Sequence, residues 1–527
     1  MNDDVDRSDW LTYKRLKRLH SAGIAFSQVA LGKLKELEAK HTEWDLDGSE
    51  RDEFAIWSQT SMGGSESVDE FQNLHVSRII PAIRKKASAS RFGMNDTWRA
   101  FTQSDPVKAF EALKLENGRS SSKQLGVEWR QLFWTLREPS DDVPLQSAVL
   151  DYVIKITDET LDPGSDAIAN WLHAKSEEIL KFDNGPSRVI AAWDRVAEMV
   201  ARDSADPIEE HNDLMGAVLN DASGVLPDIL AGLIDLEAGY FDDKLRGHIL
   251  SRFDKSIAWE GAKGAVAQAC LLQRLPWLET IYPEWVIQTL APLLNQDDEF
   301  WLGRWHARFY HPHPGSQATF QGTKDSFLRT FSRSEEFSNH EYQTNLLLSA
   351  ILNSIEDSSW PISSVEAKQA LLSGRETTLS DVCRLLRGRD KDTSGSDHWH
   401  RIVKPIIEFA WPLGGQSTTR RSGSGLITLI FEAGDAFPDA VAELKDLLGQ
   451  DWSRDAWDIE RHFEKDELEN SLQFPASMLE LISQIVDPSS PPPSLNLVLD
   501  KLVERQPALV NRADYRKLRS LARKSAA

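Results

Sequence analysis

The sequence predicts an all-α fold, an irregular solenoid of paired helices of the HEAT or armadillo kind. Three observations lead there. Apolar residues recur three and four apart in segment after segment, as one buried face of a helix requires. Runs that alternate apolar and polar over strand lengths are scarce. Glycine or proline punctuates many joints, at Pro163-Gly164, Gly185-Pro186, Pro207, Gly224 and Gly239, which leaves linkers short enough for antiparallel neighbours. A clean period of about 40 residues, the mark of a regular array, is missing, hence an irregular one. The 527 residues exceed one compact core and divide by composition into 1–103, 104–389, 397–486 and 494–527.

In order, residues 10–40 read as two helices, the second carrying Phe26, Val29, Leu31, Leu34 and Leu37. Residues 41–68 are mixed and end in a Gly/Ser loop. Phe71 to Ala87 is helical by pattern, interrupted at Pro81, and ends in Arg84-Lys85-Lys86. Ser104-Asp105-Pro106 is a helix start, with Asp105 at the cap and Pro106 in the first turn. Helices then follow at Val127–Leu136, Leu145–Ile156, Ala167–Phe182, Ser187–Val200, His211–Leu219, Leu226–Leu236 and Phe241–Phe253. The section from Trp259 to Phe331 is dense in aromatics, and Pro276, Pro283 and Pro292 bend or restart helices there. More helix runs to Arg389, and Asp390 to Ser396 reads as a linker.

The chain's organising stretch is His398 to Leu448. Trp399, Ile402, Ile406, Ile407, Phe409, Ala410 and Trp411 form one apolar face, and Pro412 stops the helix. Gly414 to Gly425 is read as a polar connecting loop. Leu426 to Phe431 resume the helix, Gly434 ends it, and Pro438 opens the next. Residues 451–470 are strongly charged. Phe474 to Val486 is helical, Asp487 to Pro493 is a break, and two helices close the chain, the last one basic. One internal echo stands out: Trp285…Pro292 against Trp399…Pro405, each a tryptophan, apolar residues and a mid-helix proline.

Composition narrows the function. Net charge is -22, which opposes general attraction to nucleic acid or an anionic membrane, though a local basic patch escapes the global sign. Cys270 and Cys383 are the only cysteines, too few for a disulfide framework or a cysteine zinc site, so a reducing cytoplasm is expected. The start, MNDDVDRSDW, is too polar for a signal peptide. No apolar run approaches the ~20 residues of a membrane span. The 18 tryptophans fall mostly inside amphipathic segments, where packing between helices is their expected role.

Several stretches together resemble the long helical region that follows the sirtuin-like domain of some bacterial anti-phage defence proteins. They are Ser104-Asp105-Pro106 with Ala109, Leu113 and Trp129; Tyr282-Pro283-Glu284-Trp285 with Leu290, Pro292 and Leu293; Trp305; and Trp411-Pro412 with Ser422, Leu426 and Phe437-Pro438. None is a catalytic motif. The resemblance implies a helical sensor or scaffold arm in a defence complex. The glycine-rich turn and histidine base of the NAD-hydrolysing head have no counterpart in residues 1–100, so any enzymatic activity would belong to a partner.

Candidate chemistry is sparse. His311 and His313, near His306, and His398 and His400 are the imidazoles that could hold zinc. Alternate residues converge poorly, however, and no acid or cysteine stands at diagnostic spacing, so surface or packing roles are expected and no cofactor is. The 414–425 stretch offers backbone donors, hydroxyls and Arg420, Arg421 and Ser422 to a phosphate or a partner. It lacks a P-loop ending and no strand precedes it, so an ordinary connection is the plainer reading. The last helix adds Arg516, Lys517, Arg519 and Arg523 as phosphate contacts or a docking face. Glu366-Ala367-Lys368 has the order of a nuclease triplet but no strands to display it. The expected function is a non-enzymatic scaffold or sensor that binds protein, a separate effector enzyme among the candidates. The alternative is a protein that binds nucleic acid or nucleotide phosphate through the arginine loop and the basic helix.

Overall fold

Helix follows helix in the computed structural model, and no strand occurs among the described residues. The structure describes residues 12–13, 16–17, 20, 28–41, 44, 68–89, 94–117, 125–138, 142–155, 165–202, 214–235, 243–337, 340–374, 377–388, 395–412, 420–448 and 471–525. The chain forms two compact units, Met1–Glu116 and Asn117–Ala527.

The first unit holds α1 (Gln28–Lys40), a short turn Asp69–Gln72, α2 (Val76–Ala89), α3 (Met94–Ser104) and all but the last residue of α4, which starts at Pro106 and runs to Asn117. Leu34 and Leu37 of α1 are buried with Tyr13, whose hydroxyl donates to the Trp44 carbonyl at 2.9 Å. α2 packs on α3 through Ile79, Ile80, Ile83, Trp98 and Phe101. The start of α4 is as the sequence predicts: Asp105 Oδ1 accepts the Lys108 N–H at 3.0 Å, one of the donors a helix start leaves unpaired. Pro81 does not interrupt α2 but lies inside it. Its neighbours Ile79, Ile80 and Ile83 are all buried, and that burial, about 1.5–3 kcal/mol per large apolar side chain, offsets the lost hydrogen bond.

The second unit begins with α5 (Gly126–Leu136), α6 (Val143–Lys155), α7 (Ser165–Leu180), α8 (Gly185–Arg202), α9 (Leu214–Asn220) and α10 (Ala222–Asp235). It continues with α11 (Asp243–Ile257), α12 (Gly261–Gln273) and α13 (Leu275–Ile281), then an unbroken run of α turn Pro283–Trp285, π-helix Val286–Leu290 and 3-10 turn Ala291–Asn295. Next come α14 (Trp301–Arg308), α15 (Gln317–Ser332), α16 (His340–Glu356), α17 (Ser364–Ser373) and α18 (Thr378–Gly388). A helical turn Gly395–His398 and a π-helix Trp399–Val403 lead into α19 (Lys404–Ala410), followed by α20 (Arg420–Glu432), α21 (Phe437–Leu444), α22 (Pro475–Ile485), α23 (Leu495–Arg505) and α24 (Ala513–Ser525).

Packing partners are near in sequence. α7 packs on α5, α8 and α10; α12 on α9, α10, α11 and α14; α16 on α18 and α19; α18 on α20; and α22 on α21, α23 and α24. Tryptophans fill the joints. Trp171, Trp193, Trp301, Trp305, Trp399 and Trp411 are fully buried. Most place the indole N–H on a partner, as buried indoles require: Trp171 on Gln146 at 2.8 Å, Trp193 on the Leu226 carbonyl at 2.8 Å, and Trp301 on Ser326 at 3.0 Å.

Several predicted joints are helix instead. Gly224, expected at a joint, lies inside α10, where its missing Cβ lets the helix touch the Val218 backbone of α9. Gly395 and Ser396, expected in a linker, open a helical turn, and a Cβ on Gly395 would meet the Glu432 carbonyl at 2.5 Å. The Gly/Ser/Arg loop is the largest correction: α20 begins at Arg420, so residues 420–425 are helix. Small residues there serve close packing on α18, since a Cβ on Gly425 would stand 2.6 Å from Cys383 Cβ. The stops and starts around it are as predicted: α19 ends at Ala410 before Pro412, Gly434 turns with φ 59°, and Pro438 sits in the first turn of α21.

Candidate functional site

The predicted site residues lie in separate places. Residues 414–419 are outside the described residues, as are the side chains of Arg420 and Arg421. Ser422 is fully buried, and its carbonyl receives the Cys383 thiol at 3.8 Å. Its hydroxyl therefore faces the interior, where a solvent-borne phosphate has no access.

The histidines are held individually. His311 and His313 are exposed on the segment after α14, and their carbonyls both accept from Arg308, the first at 2.9 Å. His313 Nδ1 accepts the Gly315 N–H at 3.1 Å. Burial lowers the His311 pKa, and the nearby Arg308 and Arg274 lower it further. His398 Nε2 is 2.8 Å from the Leu386 carbonyl, and His400 Nδ1 is 3.9 Å from Asp439. The His313 and His398 rings are thus each held by nearby backbone, and no group of three metal-ligating side chains gathers among the described residues.

The basic helix is better ordered as a face. Tyr515, Leu518 and Ala522 are buried, and α24 packs on α22 and α23. Arg512, Arg516, Lys517 and Arg523 point outward, while Arg519 is half-buried. Arg512 pairs with Asp514 at 2.6 Å and Arg519 with Asp500 at 2.8 Å.

Sequence reasoning missed a buried polar knot between α13, α14 and α15. Glu279 is 8% exposed; it accepts from the Ser316 N–H at 2.7 Å, from the Ser316 hydroxyl at 2.5 Å and from the Thr319 hydroxyl. Ser316 in turn caps α15 by accepting from Thr319 N–H at 3.2 Å. Arg308, 3% exposed, has its pKa lowered to about 10 by burial, with the charge of Glu279 opposing. A cavity of about 10 Å³ lies beside it, lined by Leu275, Trp305, Arg308, Thr319 and Phe327 among others, room for about one water. The only sequence signal is a Ser-x-x-Thr start to α15. Glu366 is likewise structural: it closes a capping box with Ser363 and pairs with Lys324 at 2.6 Å.

Also missed were apolar side chains left outside. On α17, Val365 is 77% exposed and Leu372, seven residues on, is 51% exposed. On α5, Val127 and Trp134 are exposed at the same spacing, with the Arg137 guanidinium 5.2 Å from the Trp134 ring centre. Seven residues is close to two helical turns, so each pair shares a face. Tyr310 and Tyr342, both exposed, stand with ring centres 5.8 Å apart.

Comparison with family models, with curated proteins and with solved structures found no match. No single described helix is long and apolar enough to cross a membrane. Among the described residues one pair, α9 with Ala222–Ile234 of α10, passes such a test together, and it is bent by 68°.

Proposed function

We propose that this chain is a helical scaffold that holds a protein partner, serving as the sensing or assembly subunit of a bacterial anti-phage system whose chemistry belongs to a separate effector. The reading treats the second unit as an irregular solenoid of paired helices. Support comes from helices that pack mainly on those near them in sequence, the habit of quasi-one-dimensional arrays. The observation that carries the binding role is the exposed Val365/Leu372 face of α17. Single exposed apolar residues are ordinary; the reading takes these two, on one face of α17, as the anchor of a contact. The defence setting rests on the resemblance carried by Tyr282-Pro283-Glu284-Trp285 and Trp411-Pro412.

The test is recovery of the tagged chain from its native host, with and without phage infection, followed by size-exclusion chromatography and mass spectrometry. A stoichiometric co-eluting protein, lost on Val365→Glu/Leu372→Glu, is the expected result. Recovery of the chain alone under both conditions overturns the reading.

A further inference from the structure

We propose that α24 binds nucleic acid, gripping the phosphodiester backbone through Arg516, Lys517 and Arg523, with Arg512 and Arg519 beside them. This goes beyond the scaffold reading and does not depend on it.

In a chain of net charge -22, residues 512–525 carry Arg512, Arg516, Lys517, Arg519, Arg523 and Lys524 against one acid, Asp514. The fold fixes which way these charges point. Tyr515, Leu518 and Ala522 are buried, and that anchors one side of α24 against its neighbours. Arg512, Arg516, Lys517 and Arg523 are left exposed. Arg512 and Arg519 are oriented by carboxylates, Asp514 and Asp500, and Arg519 also donates to Asn496 at 3.1 Å. Arg516 reaches only the Asn511 carbonyl, at 3.3 Å. Arg516, Lys517 and Arg523 have no carboxylate partner among the described residues, and all three are exposed.

Arg512, Arg516, Arg519 and Arg523 recur at steps of four, three and four, so one guanidinium appears per turn along one side, over about 16 Å at 1.5 Å per residue. A nucleic-acid strand offers a charge about every 3.4 Å, a ladder that such a row can follow. The guanidinium fork suits phosphate oxygens in pairs. At physiological salt, charges beyond about 8 Å are largely screened. The acidic remainder of the chain therefore does not cancel this row, and it disfavours contact elsewhere.

The experiment is fluorescence anisotropy of a short labelled duplex titrated with the full chain across a salt series. Expected is binding that weakens linearly in log–log form. Arg516→Ala/Lys517→Ala/Arg523→Ala should weaken it about tenfold or more at low salt and make the slope shallower by about 0.9 per lost contact. Arg516→Lys/Arg523→Lys should retain most binding, which separates lost charge from lost folding, and Arg384→Ala, on a distant helix, should change nothing. No binding at the lowest salt, or binding unaltered in the triple variant, overturns the proposal. So does competition by polyglutamate as strong as by unlabelled duplex, which would assign the face to an acidic protein.

Discussion

Trp399 donates its indole N–H to Asp439 at 2.8 Å, and Trp285 makes the same bond to Asp254 at 2.7 Å. Each tryptophan stands at a π-helical turn, Val286–Leu290 or Trp399–Val403, with Pro292 or Pro405 just beyond. A proline has no N–H and crowds the carbonyl four residues back. A widened turn relieves that crowding without ending the helix. The echo visible in sequence is therefore one local device used twice in the second unit.

The Trp399–Asp439 bond gives a pH signature. Burial raises the Asp439 carboxyl, but the Trp399 N–H and the Lys404 ammonium outweigh it and hold it below the ordinary value. A carboxylate depressed by folding stabilises above its unfolded pKa, about 3.9, and loses that contribution as pH falls through the folded value. Asp439→Asn should lower the melting temperature at neutral pH, with the gap to wild type closing well below about pH 4. A gap of equal size across the whole acid range would contradict the assignment.

The contact between Gly425 and Cys383 leaves no space for a methyl group, since an added Cβ would stand 2.6 Å from Cys383 Cβ and 3.0 Å from Sγ. Gly425→Ala should destabilise by about 1–3 kcal/mol in denaturant unfolding, the usual cost of overpacking. Gly425→Val should cost more. An alanine as stable as wild type would mean that α18 and α20 are not so closely apposed.

Arg308 joins the carbonyls of His311 and His313 to the charge of Glu279 inside the second unit. Arg308→Met leaves the His311 and His313 carbonyls without their donor and removes a cation whose charge Glu279 senses, a loss of about 1–3 kcal/mol. Arg308→Lys should rescue little, because a point ammonium cannot copy the two-carbonyl fork. Urea midpoints of the three proteins decide it; full rescue by lysine would show that charge alone matters.

Cys270 and Cys383 are both buried, and burial pushes their thiols far above the usual range. Only thiolate reacts readily. Neither cysteine should be labelled by a thiol reagent in the folded protein near about pH 8, and both should be labelled in denaturant. Fast native labelling of either would place that thiol at the surface.

Much of the fold was legible because helix ends carry local chemistry. Asp105 before Pro106, Pro412 after Trp411 and Pro438 in the first turn of α21 all act where the sequence puts them. Glycine misled for a tertiary reason. Gly224 lies against the Val218 backbone of the preceding helix, Gly395 against the Glu432 carbonyl and Gly425 against the Cys383 side chain, close contacts that local reading takes for a joint. The Glu279–Arg308 knot was illegible because its members are scattered, and only the packing of α13, α14 and α15 joins them. Ser422 looked like a loop hydroxyl and is core, because α20 starts earlier than its apolar run.

The most direct measurement is the composition of the native complex. The tagged chain, recovered from its host with and without phage, should co-elute with a stoichiometric protein partner, and the Val365→Glu/Leu372→Glu chain, equally folded by circular dichroism, should not. The wild-type chain eluting alone under both conditions, or a partner held equally by both chains, would contradict a scaffold that works through this face of α17.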